Sequence, residues 1–246
     1  MRKLLAIFMS VCLLCAATVP AFAVSSDKEV PPDLVASETR KITSAKNDRY
    51  EVYSVIDTEG KTAQAVRKDL ITGEYVYGPK VPFAQRDAAE YVREPAMRAP
   101  DYSITHQDTF LNYEYDIYTN QNPIEWSLQR PDFAIFSQYY FMVYENSSNL
   151  RYLEYYQDDV NALNDQEWVT IGYVGMAVFE TLEALIDSHA AISTYGVLSG
   201  EAAVSIIEAI DAGITAAGEI ETLIDYYNDC SGSYRNVLNR TDNIHY

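Results

Sequence analysis

The sequence predicts an α+β protein: a small antiparallel β meander, a Tyr-rich antiparallel sheet region, then a long C-terminal antiparallel α-helical hairpin. Three observations predict it. Before residue 158 the apolar residues come in short, alternating runs separated by Gly, Pro, Asn and Asp. After Asp158 the apolar period changes to that of a helix. From Tyr152 to Tyr234 the chain carries 15 Asp and Glu and no Lys or Arg. Those helices can hold no internal salt bridge, so each carboxylate must face water, bind a cation or meet a basic group elsewhere.

Taken in order, residues 1–23 read as an export signal. Arg2 and Lys3 form the charged start, Leu4 to Leu14 the apolar core and Ala21-Phe22-Ala23 the small-x-small cleavage site. Cleavage after Ala23 implies a secreted, extracellular product. Residues 24–48 are polar, contain Pro31-Pro32 and lack periodicity, which predicts a flexible lead-in. Residues 49–78 predict a three-stranded meander: Tyr50 to Ile56, a turn at Asp57-Thr58-Glu59-Gly60, Thr62 to Lys68, a turn at Ile71-Thr72-Gly73, and Glu74 to Tyr77. So small a sheet needs a partner to pack on. Residues 79–100, with Pro79, Pro82, Pro95 and Pro100 beside Arg86, Arg93 and Arg98, predict an exposed linker open to proteases.

In the Tyr-rich region, 101–157, Leu111, Tyr113, Tyr115 and Ile117 alternate with polar residues, predicting one strand over 109–119. Ile124 to Leu128 predicts another. Tyr139 to Glu145 and Leu150 to Tyr156, joined by Asn146-Ser147-Ser148-Asn149, read as a hairpin, while Phe133, Phe136, Tyr140 and Tyr144 fit a helix equally well. Residues 158–241 predict the helical hairpin. Val160, Leu163, Trp168, Ile171, Val174, Val178, Leu182 and Leu185 form one stripe; Ala203, Ile206, Ile210, Gly213, Ala217, Ile220, Ile224 and Tyr227 form the other. Thr194 to Gly200 separates them, with Ser199 as an N-cap. Helices of about 30 residues would each run about 45 Å, and Ala209, Ala212, Gly213, Ala216 and Ala217 would let them approach closely.

Charge narrows the function. Without Arg2 and Lys3 the 18 basic residues become 16 against 36 acidic ones, a net charge of −20. Residues 24–98 are close to neutral, with 12 Lys and Arg against 13 acids, whereas 99–246 hold 4 Arg against 23 acids. Such a field repels nucleic acid and favours a basic protein partner or cations. Catalytic patterns are absent. His106, His189 and His245 show no zinc-binding spacing, and there is no nucleophile elbow or phosphate loop. A non-enzymatic protein without cofactor or metal is expected. Cys230 with His245 makes an unconvincing nucleophile and base, because His245 sits near the chain end. Asp158-Asp159 and Asn164-Asp165-Glu167 supply oxygens at a helix start, where the helix dipole also favours anions. Glu221, Asp225 and Asp229 fall on one helix face, as a solvated face would.

Two features suggest binding. Tyr113, Tyr115 and Trp126 are candidates for a flat aromatic face that stacks on sugar rings, or else for sheet-to-helix core. Cys12 and Cys15 leave with the signal, so Cys230 is a candidate intermolecular thiol that would make a disulfide dimer, or else a buried small apolar residue.

The run Tyr50-Glu51-Val52, then Asp57 to Gly60-Lys61, then Val66-x-x-Asp69-x-x-Thr72-Gly73-Glu74 resembles the hairpin half of PepSY domains. That resemblance implies a pro-region or inhibitory role for residues 27–80. In layout (export signal, β-rich first part, Ala/Gly-rich helical end with one late Cys) the chain is similar to the geobacillin-type large secreted bacteriocins. This likeness implies a secreted antibacterial protein whose helical region acts on a target-cell membrane or envelope component. The alternative expectation is a cell-envelope or polysaccharide-binding module.

Overall fold

The computed structural model describes residues 31–83, 104–132, 138–211 and 213–245. The export signal, the connector from 84 to 100, Phe133 and Phe136 lie outside the described residues. Among these residues the fold is α+β, built from two antiparallel sheets and four α-helices.

Sheet one has the order β1 (Arg40–Lys46), β2 (Tyr50–Asp57), β3 (Thr62–Asp69), β4 (Tyr75–Tyr77), with the short β5 (Val81–Pro82) continuing along β3 beyond β4. The expected lead-in at 24–48 is corrected here, since its end forms β1. All seven residues of β1 pair with β2, from Arg40 opposite Asp57 to Lys46 opposite Glu51. An edge strand draws on backbone pairing and can stay half exposed, so its sequence lacks the apolar signal of a core strand.

Sheet two has the order β6 (Ile104–Asp108), β7 (Glu114–Tyr118), β8 (Glu125–Gln129), β9 (Tyr140–Tyr144), β10 (Ile244–His245), read from one edge to the other. The strand expected at 109–119 is thus shorter, because the chain turns at 109–113, where Asn112 takes a positive φ of 61°. Alternation could not reveal this turn, since Leu111 and Tyr113 are buried like Tyr115 and Ile117. The open choice at 133–145 resolves to a strand over Tyr140–Tyr144.

Leu150 to Tyr156 is helix and not the second arm of a hairpin. Asn146 Oδ1 accepts the N–H groups of Ser148 and Asn149 at 2.8 and 3.1 Å, folding the turn that leads into α1 (Leu150–Val174). From there Leu153, Tyr156, Val160 and Leu163 are buried at helical spacing. Each long helical stripe is broken once. Gly175, at φ 80°, separates α1 from α2 (Met176–Ala191), and Asp211, at φ 58°, ends α3 (Gly200–Ile210) before α4 (Ile214–Arg240). Ser199 caps α3 as expected, its hydroxyl accepting Ala202 N–H at 3.3 Å.

These breaks let the helices serve two sheets. The long helices α1 and α4 run antiparallel: Tyr152 meets Arg240 at 3.3 Å, the rings of Tyr156 and Tyr234 are 5.8 Å apart, and Gln166 donates to Glu219 O at 3.1 Å. Together they cover the inner face of sheet two, where Tyr113 meets Tyr227 and Phe141 meets Tyr234 edge to face. The shorter helices α2 and α3 cover sheet one, whose facing residues include the small Ser54, Ala63 and Ala65. Ser188 Oγ of α2 accepts Ala65 N–H at 2.7 Å, and Thr43 Oγ1 donates to Ser205 O of α3 at 2.7 Å. A single apolar cluster joins Val52, Ile56 and Ala63 of sheet one to Leu128 and Phe141 of sheet two. The opposite face of sheet one carries a satellite of Leu34, Val55 and Val66.

Candidate functional site

Where the two sheets meet across the end of α2, the surface folds into a cleft of about 680 Å³. That size lies within the roughly 300–1,000 Å³ of small-ligand sites. Its sheet-one side is Val76, Tyr77, Pro79 and Val81; its sheet-two side is Asn112, Gln129, Arg130, Pro131, Asp132 and Tyr139; its floor is Asp187 and Ala191 of α2 with Ile192 just past its end. The fold builds this space at the gap between β4 and β5. There Ser188 reaches into sheet one, donating to Pro79 O at 2.7 Å, and Gly78 passes so close that a Cβ would lie 2.5 Å from Ser188 O. Only glycine fits at that contact.

Polar groups are concentrated on the cleft wall. Arg130 is buried at 6% exposure, its Nε donating to Gln138 O at 3.1 Å and its guanidinium 5.2 Å from the Tyr234 ring. Asp187 is half-buried as a residue, yet its Oδ1 is out of solvent with no hydrogen-bond partner. Burial, and then the carboxylate of Glu183 one turn earlier, push its pKa up to about 8. At the mouth Tyr77 and Tyr139 are 41% and 44% exposed as residues, leaving aromatic surface open to a ligand. A concave, mostly apolar space with a few converging polar groups and one strongly displaced acid has the properties of a binding site.

The sequence-predicted residues lie elsewhere. Tyr113, Tyr115 and Trp126 are 1%, 3% and 3% exposed, so the stacking face expected of them is corrected to core. The alternation that brought them onto one face of the sheet points that face at α1 and α4, and the Tyr115 hydroxyl ends on Asn161 Oδ1 at 2.9 Å. Cys230 is fully buried on α4, which removes it as an intermolecular thiol in the folded chain. Burial also raises its pKa well above that of a free thiol. His245 is not frayed: β10 pairs with β9, and His245 Nε2 lies 2.7 Å from Glu125 Oε1 with its ring stacked on Tyr144. That engagement, together with the burial of Cys230, keeps Cys230 and His245 from pairing as nucleophile and base. Glu167, read as a helix-start oxygen, accepts the N–H groups of Phe110 and Leu111 at 2.9 and 2.8 Å and so holds the β6–β7 turn. Glu221, Asp225 and Asp229 are exposed, as a solvated face requires.

Two constellations arise that spacing in the chain does not reveal. Ser54 Oγ and His189 Nε2 lie 2.7 Å apart across 135 residues. Ser54 is wholly buried beneath Ser205, and burial pushes the His189 pKa down to about 3. Ser54 is therefore out of a substrate's reach and His189 is a poor base near neutral pH, and the pair ties α2 and α3 to sheet one. On the outer face of sheet two, the register sets His106 opposite Asp116, with Nδ1 2.8 Å from Asp116 Oδ1 and 3.7 Å from Glu114 Oε1. Donor atoms of these three residues lie within 4.8 Å of one another, a spacing a divalent cation could use. The same imidazole and carboxylates also satisfy each other as a polar cluster. Antiparallel register was the missing signal: residues ten apart become neighbours once the hairpin closes.

Searches of protein families, curated proteins and solved structures found no match to this chain.

Proposed function

We propose that this chain is an exported, non-enzymatic binding module of the cell envelope, whose ligand is a saccharide held in the cleft between the two sheets. The observation that carries this reading is the arrangement of Tyr77 and Tyr139 at the mouth of a cavity with Asn112, Gln129, Arg130 and Asp132 on its wall and Asp187 on its floor. Tyrosine rings stack on the apolar faces of sugars while amides, carboxyls and guanidinium groups bond hydroxyls. The aromatic residues differ from those expected from the sequence, but the chemistry is the same. An antibacterial role on target membranes receives less support, because the apolar seams of the helices that would enter a bilayer are engaged in the common core. Among the described residues no helix is long and apolar enough to cross a membrane.

The test is a pull-down of the protein on purified cell-wall polysaccharide, followed by titration with the oligosaccharides it releases. Substituting Tyr77→Ala or Tyr139→Ala should weaken binding on the order of tenfold each, as expected for loss of a stacking contact. Tyr155→Ala, an exposed tyrosine on α1 that does not line the cleft, should bind as wild type. Failure of wild type to bind, or equal binding by all the variants, would remove the reading.

A further inference from the structure

Sheet one ends in a second cavity. Along β3 the inner face reads Ala63, Ala65, Arg67: the alanines are buried, Ala65 against Ser188 of α2, and the arginine follows opposite Val52. There the loop 192–199 between α2 and α3 borders a cavity of about 340 Å³, and Ile192 lines both this cavity and the saccharide cleft. The loop is pinned from α4. Asn228 Oδ1 accepts the Leu198 N–H at 2.7 Å, Asn228 Nδ2 donates to Leu198 O at 3.1 Å, and Ser231 Oγ donates to Tyr195 O at 2.9 Å.

Two opposite charges line this cavity without meeting. Arg67 and Glu201 are both part-exposed, yet among the described residues no ion pair joins them. Each has its own anchor. The Arg67 guanidinium lies over the Tyr50 ring at 5.0 Å, and among the described residues its N–H groups have no acceptor. Glu201 sits in the first turn of α3, where its own backbone N–H, then Asn47 and Ser199, lower its pKa and keep the carboxylate ionised. A carboxylate accepts about four hydrogen bonds, which leaves room for a ligand donor.

We propose that this cavity binds a small zwitterion with an apolar side chain, an apolar α-amino acid or dipeptide, whose carboxylate pairs with Arg67 and whose ammonium pairs with Glu201. Simpler charges fit less well. An anion suits Arg67 but would lie beside Glu201, and a cation suits Glu201 but would lie beside Arg67. A ligand carrying both signs satisfies each group where it already stands. The planar guanidinium matches a carboxylate with two parallel N–H bonds. Val52, Ile192, Val197 and Leu198 offer apolar lining to the side chain. The volume lies at the low end of the roughly 300–1,000 Å³ of ligand sites, so the ligand is small. Being neutral overall, it meets no opposition from a chain of 36 acidic and 18 basic residues. This site is independent of the saccharide reading.

Calorimetric titration of the full chain with leucine and with dileucine tests the inference at two charge separations. At least one should bind, and blocking either of its ends, by N-acetylation or by C-terminal amidation, should weaken binding on the order of tenfold. Arg67→Met keeps the apolar stem and removes the charge. It should weaken binding of the zwitterion by the same factor and bind the amidated probe no worse than wild type does. Glu201→Gln should weaken binding of the zwitterion and bind the acetylated probe no worse than wild type does. Circular dichroism verifies that both variants fold, and the blocked probes on wild type decide the matter even where a variant does not. Binding of neither zwitterion, blocked probes that bind as tightly as free ones, or variants that weaken every probe alike would overturn the inference. Wall-polysaccharide binding is read in its own assay, so failure here leaves the saccharide cleft standing.

Discussion

At the scale of single residues, the end of α2 places two titratable groups with opposite displacements two positions apart. Burial pushes Asp187 up from 3.8 to about 8 and His189 down from 6.5 to about 3. The raised acid lowers stability progressively as pH climbs from its unfolded value toward 8, because the unfolded chain gives up its proton first. The depressed histidine does the reverse: its contribution is intact above 6.5 and is lost as pH falls toward 3. Between about 4 and 6.5 the two slopes oppose each other, so little pH dependence is expected from the pair there. Asp187→Asn removes one of them. Thermal melts should show this variant more stable than wild type at pH 8 by more than about 1 kcal/mol, with the difference shrinking toward pH 4. An equal melting temperature at pH 8 would mean that the carboxyl is not held neutral. A group that lowers stability where a cleft needs it fits the usual opposition between function and stability.

At the scale of elements, the contact of α2 with the gap between β4 and β5 decides the shape of the cleft. Gly78 N–H donates to Ala65 O at 2.9 Å, while the Gly78 carbonyl accepts from Gln64 Nε2 at 2.9 Å. The strand edge is thereby pinned on one side as Ser188 bridges Ala65 and Pro79 on the other. A Cβ on residue 78 would lie 2.5 Å from Ser188 O and 2.7 Å from Ser188 Oγ. The carbonyl belongs to a helix backbone and cannot swing aside, so Gly78→Ala must push α2 off the sheet. Denaturant unfolding should show a loss of about 1–3 kcal/mol, as for other overpacked sites. Saccharide binding should weaken with it. Unchanged stability would mean that α2 tolerates displacement and does not fix the cleft. The breaks at Gly175 and Asp211 belong to this scale as well. Without them the helices could not leave sheet two for sheet one.

At the scale of the whole molecule, the near-neutral first part and the acidic second part form one body. β1 to β5 are held by α2 and α3 across 123 residues at Ala65–Ser188 and 162 at Thr43–Ser205, and both sheets contribute to the same apolar cluster. A cut in the connector between 84 and 100 should therefore leave both fragments associated. Size-exclusion chromatography after limited proteolysis should show one species at the intact elution volume, separating only in denaturant. Spontaneous separation in buffer would support a removable pro-region, the role implied by the PepSY resemblance. Under the binding-module reading, the nicked protein should keep its affinity for wall polysaccharide.

The sequence by itself determined the α+β class, β2, β3, β4 and β8, the Ser199 cap, the solvated acidic face and the long helical stretch. These follow from local physics, because alternation, turn chemistry and helical periodicity are written in neighbouring residues. It also put Tyr113, Tyr115 and Trp126 on one face, but period alone does not say whether a face meets water or a helix. Only the tertiary structure decided that those rings are core, that Cys230 is enclosed, and that Tyr77, Tyr139, Arg130 and Asp187 surround a common space. The cleft joins segments more than a hundred residues apart, brought together by burial of apolar surface that no local pattern specifies. The edge strand β1 escaped notice for a related reason, since its partner supplies the backbone bonds that its own side chains do not advertise.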